Sequence, residues 1–175
     1  LNLMKKMGYN AATIGNHEFD AGLSSLKKNI LNNDFQFISS NYNFDNTELE
    51  GLVSKYKVYN RQGIKIGVFG LGIELNGLVN SSLYKETKYY DPVEIAKEMT
   101  RKLKKEKKCD LIICISHLGH TYQNDKISDL ILGKLTSDID LIIGGHTHTL
   151  LKKPEIIKNS KNEDVIINQV GSNGV

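Results

Sequence analysis

Three short apolar runs stand out along the chain: Ala11-Ala12-Thr13-Ile14, Leu111-Ile112-Ile113-Cys114-Ile115 and Leu141-Ile142-Ile143. Runs of this length, rich in β-branched residues, read as strands buried on both faces of a parallel sheet. Other segments follow the helical period instead. Leu3, Met4 and Met7 precede Gly8, a helix C-cap. Leu23, Leu26, Ile30 and Leu31 predict a helix over 23–31, and Ile127, Leu130, Ile131 and Leu135 predict one over 126–135. Asp91-Pro92-Val93-Glu94 is a helix start, with Asp as N-cap, Pro at the first position and Glu at N3 of a capping box. Ile95, Ala96, Met99 and Leu103 mark that helix's buried face. Residues 35–38 read as a further strand. Residues 56–59 and 64–71 form a hairpin around Asn60-Arg61-Gln62-Gly63, and 155–157 with 165–169 form another. The polar stretch 39–50 reads as a loop, and 72–90 as mostly loop.

Strands alternating with helices give an α/β fold, a layered arrangement of β-sheets flanked by helices. Neither a repeat nor a low-complexity linker divides residues 1–175, which read as one domain. The chain opens in the middle of an αβ unit and stops without a finishing element, so the domain reads as incomplete at both ends.

Composition narrows the function classes. The formal charge of the 175 residues is only +3, which by itself predicts neither nucleic-acid nor membrane binding. No apolar run approaches the ~20 residues that span a bilayer. The cationic run Arg101-Lys102-Leu103-Lys104-Lys105-Glu106-Lys107-Lys108 reads as the solvated end of a helix, where cations complement the dipole. Cys109 and Cys114 bracket a strand at an odd spacing that points them to opposite faces, so no disulfide joins them. Cys114 reads as a small buried hydrophobe.

Four of the five histidines follow the three apolar runs, in glycine-flanked turns: Asn16-His17-Glu18, Ser116-His117-Leu118-Gly119 and Gly144-Gly145-His146-Thr147-His148. Ligand sites in open α/β sheets lie at the carboxyl ends of strands. Neutral imidazole and amide oxygen suit first-row divalent metals, so the set reads as part of a metal site. Each turn also has a plainer reading. Gly-Asn is common turn chemistry, and His17 could cap a helix. A lone His117 is often a hydrogen-bonded, half-buried residue. Two histidines one residue apart after Gly-Gly are harder to explain that way, since glycines let backbone approach a ligand closely. His120 is unassigned and read as a surface residue. His17 and Asp20 are three apart, so one helical turn would bring imidazole and carboxylate into contact.

Taken in order, Gly15-Asn16-His17-Glu18-Phe19-Asp20, Ser116-His117-Leu118-Gly119 and Gly144-Gly145-His146-Thr147-His148 resemble the calcineurin-like metallophosphoesterases. The flanks Met7-Gly8-Tyr9-Asn10-Ala11 and Asn168-Gln169-Val170-Gly171 resemble the branch of the 5′-nucleotidases and cyclic-nucleotide phosphodiesterases. The resemblance implies a dinuclear phosphoesterase acting on a small-molecule phosphate ester, a nucleotide above all. Asn16, His117 and His146 would hold one divalent ion, and His148 would contribute to a second; Zn, Mn, Fe and Co all suit. A hydroxide between the ions would attack phosphorus in line. His17 would stand near the leaving oxygen as acid or charge stabiliser, with Asp20 orienting its ring. The resemblance also suggests a periplasmic or exported protein.

The family's Asp-x-His and Gly-Asp motifs, which supply the bridging carboxylate, are absent. No Asp here is followed two residues later by His, and no Gly by Asp. Two dications about 3.5–4 Å apart repel strongly without a carboxylate between them. The missing motifs are expected in a segment ahead of Leu1. The alternative is a non-catalytic metal-binding or interaction module that has lost half the dimetal site. An acyl-transfer hydrolase is disfavoured, because no Gly-x-Ser-x-Gly is present.

Overall fold

The structure, a computed structural model, describes residues 2–172. Its centre is a six-stranded sheet built from β4 (Tyr56–Arg61), β5 (Ile64–Leu71), β7 (Leu111–Ser116), β8 (Leu141–Ile143), β10 (Asp164–Asn168) and β9 (Glu155–Lys158), in that spatial order. The four inner strands β5, β7, β8 and β10 run parallel, while the edge strands β4 and β9 pair antiparallel to their neighbours. Both predicted hairpins are present, the first closing through Gln62 and Gly63, each with positive φ.

One face of the sheet carries a closed core. Phe69, Leu71, Ile112, Cys114, Ile142, Val165 and Ile167 pack against α4 (Pro92–Arg101) and α5 (Asp129–Leu135). Asp91 Oδ1 accepts from the amides of Val93 and Glu94, both at 2.9 Å. The Glu94 carboxylate is held by Lys97 at 2.8 Å instead of closing the capping box. A wide π-helical turn, Lys102–Glu106, extends α4; Lys104 and Lys105 face solvent while Leu103 is fully buried.

The other face is open. Ile66, Val68, Ile113, Ile115 and Ile143 line a groove of about 430 Å³ together with Tyr9, Ala11 and Tyr59. Beside it lies a second layer: α1 (Asn2–Lys6), then β1 (Ala11–Ala12) paired parallel with β2 (Gln36–Phe37). Its core of Ile14, Phe19, Phe35, Phe37, Tyr42 and Phe44 packs around α2 (Gly22–Leu31).

The differences from the sequence reading have local causes. Only 11–12 and 36–37 of the predicted strands 11–14 and 35–38 pair with each other. Residues 39–50 are not a surface loop: Ser39, Ser40 and Asn41 are buried, and Tyr42–Asn43 (β3) pairs with Lys88–Tyr89 (β6) inside the stretch expected to be mostly loop, beyond α3 (Ser81–Tyr84). Asn41 makes this possible, its side chain exchanging two 2.8 Å bonds with the Gly72 backbone like a neighbouring strand. The helix expected over 126–135 begins at Asp129, because the Ser128 hydroxyl caps it. That phase buries Leu132 and exposes Leu135; Leu31 is likewise exposed at the end of α2. Cys109 and Cys114 share one core rather than opposite faces, since Lys108 turns the chain with φ 58° just before Cys109. Both thiols are free, and burial pushes that of Cys114 well up.

Candidate metal and catalytic site

Strand register assembles the site. Leu71 lies opposite Ser116, and Ile143 lies opposite both Ile115 and Asn168. The residues that follow, His117, Gly144 and Gln169, therefore emerge side by side at the carboxyl edge of the sheet. The first motif arrives from the second layer.

That motif is one tight turn, Asn16–Phe19, in which neighbouring side chains take separate tasks. Glu18 Oε2 accepts from the Gly15 amide at 2.7 Å and closes the turn. Phe19 is fully buried, its ring edge-on to Tyr42 with centroids 5.6 Å apart. So anchored, the turn points Asn16 inward and His17 to solvent. His17 Nδ1 lies 2.8 Å from Asp20 Oδ2, and both side chains are exposed. A carboxylate on Nδ1 fixes the ring orientation and leaves Nε2 to exchange a proton with a ligand.

Asn16, His117 and His146 meet at one point. Asn16 Oδ1 lies 3.2 Å from His117 Nε2 and 3.1 Å from His146 Nδ1, and the two rings meet edge-on at 5.2 Å. Burial pushes the His117 imidazole down to about 4, with His146, His17 and His148 adding to the effect. His146 is lowered too, by burial first and then by Lys126. Both rings are thus held neutral, the form that offers a lone pair to a cation.

Backbone conformation sets the third motif. His146 and His148 both have positive φ, 69° and 54°, an uncommon state for residues with a Cβ. Gln169, buried, clamps this turn: its Nε2 donates to Gly145 O at 2.6 Å, and its Oε1 accepts from the Thr147 hydroxyl at 3.0 Å and the Thr149 amide at 2.5 Å. Gln169 and Glu18 carried no assigned role in the sequence. Their signal was a polar side chain directly after an apolar strand, and a carboxylate three residues beyond a turn glycine. His148 is exposed and lies near enough to His117 and His146 to act on both electrostatically.

His120 is not a surface residue. It is 7% exposed, its Nε2 stands 3.0 Å from Glu155 Oε2, and its amide donates to Thr147 Oγ1 at 3.0 Å. It ties the His117 turn to β9 and to the last motif.

Two imidazole nitrogens converging on an amide oxygen fit one first-row divalent ion. They do not complete a pair. Among the described residues no group of three or more His, Cys, Asp and Glu gathers to hold a metal. No helix among the described residues is long and apolar enough to cross a membrane.

Comparison with known proteins fits this architecture. The 5′-nucleotidase of Vibrio cholerae is 35% identical over 90% of this chain and 30% of its own length. The trifunctional nucleotide phosphoesterase protein YfkN of Bacillus subtilis is 33% identical over 92% of this chain and 13% of its own. The crystal structure of the 5′-nucleotidase precursor of Thermus thermophilus superposes with a TM-score of 0.90 at 28% identity, over 99% of this chain and 35% of that one. The chain thus spans about a third or less of the length of these proteins. The model of the calcineurin-like phosphoesterase family matches residues 1–150, and the chain belongs to that family of hydrolases.

Proposed function

We propose that residues 1–175 are part of the catalytic domain of a nucleotide phosphohydrolase of the 5′-nucleotidase type, supplying one metal position and the proton donor. The observation that carries this reading is the shared Asn16 oxygen between two neutral imidazoles, with the His17–Asp20 pair one residue away. Asn16 Oδ1, His117 Nε2 and His146 Nδ1 would hold one ion, and His148 would serve a second. The carboxylates that complete a dinuclear centre would come from other parts of a longer protein. The similarity to nucleotide-acting relatives supports the substrate class.

A bound divalent ion neutralises charge growing on phosphoryl oxygens and acidifies water. This chain's residues do the rest. Water adds to phosphorus as the ester P–O bond breaks, releasing one of its protons to solvent, from which exposed His17 is recharged after the product leaves. His17 Nε2 gives its proton to the departing oxygen, while Asp20 on Nδ1 stabilises the imidazolium beforehand and keeps the ring aimed. Asn16 sits beside His17 in the same turn, so metal and proton donor share one rigid support.

A second reading, a metal-binding module without catalysis, is favoured by the lack of a carboxylate in the cluster among the described residues. Metal stoichiometry after Mn²⁺ loading, with hydrolysis of AMP, separates the two. The catalytic reading expects at least one ion per chain, lost in His146→Ala, and AMP hydrolysis by the longer protein that dies with the same substitution. Metal binding without hydrolysis in that longer protein would favour the module. No metal binding at all would sink both.

A further inference from the structure

Behind the two imidazoles lies a buried carboxyl group that the proposed reaction does not use. Asp129, the first residue of α5, has no exposed surface. Its Oδ1 accepts the Ser116 hydroxyl at 2.5 Å, and Ser116 Oγ in turn accepts the Leu118 amide at 3.1 Å. Its own amide donates to Gly119 O at 2.8 Å. The turn that carries His117 is thus fastened to Asp129 at both ends.

The other oxygen, Oδ2, has no hydrogen-bond partner. It lies against the backbone of Gly144, so close that a Cβ there would come within 2.2 Å of it and within 3.1 Å of Gln169 Nε2. Gly144 opens the turn that carries His146. One carboxyl group therefore touches both ligand turns, and only glycine at 144 leaves it room. A buried, half-satisfied carboxyl is costly, where an apolar side chain would fill the same space without that cost. Burial pushes Asp129 up to about 7, so it is held without a full charge near neutrality.

We propose that Asp129 is a positioning residue that locks the Ser116–His117 turn against the Gly144-Gly145-His146 turn and so sets the separation of the two imidazoles. Its value for metal binding rests on the function proposed above; the geometric role does not.

The test uses the isotopically labelled 175-residue chain without metal. Wild type should show a nuclear Overhauser effect between the ring protons of His117 and His146. Asp129→Ala and Ser116→Ala should each lose it, and the double substitution should add nothing, while methyl signals of Leu23 and Leu26 in the other core stay unchanged. Asp129→Asn, which keeps an acceptor for Ser116, should restore it. An unchanged ring contact in folded Asp129→Ala would overturn the proposal, as would a loss that Asn fails to restore. If Asp129→Ala does not fold, Ser116→Ala carries the same test. Mn²⁺ titration is the second readout: Asp129→Ala should bind about 10–100-fold more weakly, the usual effect of removing a ligand's support. A wild-type chain with the ring contact but no Mn²⁺ affinity would sink the functional reading and leave the positioning role standing.

Discussion

Gly15 and His117 occupy one another's space: a Cβ on Gly15 would stand 2.6 Å from Nε2 of the imidazole. Real side chains do not approach so closely, so the ring seats itself only where the first motif presents bare backbone. The glycine that precedes Asn16 thus shapes the same cluster that Asn16 joins.

Gly15→Ala should therefore leave the fold intact and displace His117. The expected loss of Mn²⁺ affinity is on the order of 10–100-fold, comparable to removing a support from a ligand. Calorimetric titration alongside circular dichroism checks it. Unchanged affinity in a folded Gly15→Ala chain would show that His117 is not bound to the ion.

Proton donation makes a separate prediction. In the longer phosphohydrolase proposed above, His17→Ala should lower kcat by roughly 10²–10⁴-fold, the range for a lost general acid, with metal content unchanged. Asp20→Asn should fall in between, because it leaves the imidazole but removes its carboxylate at 2.8 Å. His146→Ala should abolish turnover together with metal binding. Equal metal loss in His17→Ala would place that ring among the ligands instead.

How much of the fold and of the site is legible in the sequence depends on the kind of contact. The strand runs, the α4 cap and the three histidine turns are local patterns, and periodicity exposes them. Asn41 and Gln169 were not readable, because each satisfies backbone groups of a segment distant in sequence. Asn41 mimics a strand for Gly72, and Gln169 clamps Gly145 and Thr149. His120 escapes the sequence for the same reason: its partner, Glu155, lies 35 residues away. Leu132 was missed because the helix phase is set by Ser128, one polar cap among several polar residues. The meeting of His117 with His146 follows from the register of β7 and β8, and Asn16 joins them from the second layer; motif spacing supplies neither.

The His120–Glu155 pair should act on stability more than on the metal. His120→Ala removes a partner from a half-buried carboxylate and should cost about 1–3 kcal/mol. Urea unfolding measures that loss, and Mn²⁺ affinity of the folded variant should stay within a few fold of wild type. A stability change near zero would mean the pair is not formed in solution.

Two titrations oppose one another in the metal-free chain. His117 has a folded value near 4, below its ordinary 6.5, so as pH falls through that window the unfolded chain takes up the proton first and stability drops. Asp129 has a folded value near 7, above its ordinary 3.8, so as pH rises the unfolded chain releases the proton first and stability drops in that direction. The contributions are of similar size, roughly 3–4 kcal/mol at most. Between pH 4 and 6.5, Asp129→Asn should therefore gain stability with rising pH more steeply than wild type. His117→Asn should tilt the other way. Urea unfolding across this range decides; parallel profiles for all three proteins would refute both assignments.

The left-handed backbone at His146 and His148 has a consequence for how the molecule can drift. Each such residue holds its main chain where a Cβ crowds the following carbonyl, at a cost of about 1–2 kcal/mol that glycine would not bear. His146→Gly and His148→Gly are accordingly expected to yield a sturdier protein with a poorer site. Thermal selection alone would favour glycine at both positions, so the ligand role proposed for these imidazoles is one that works against toughness.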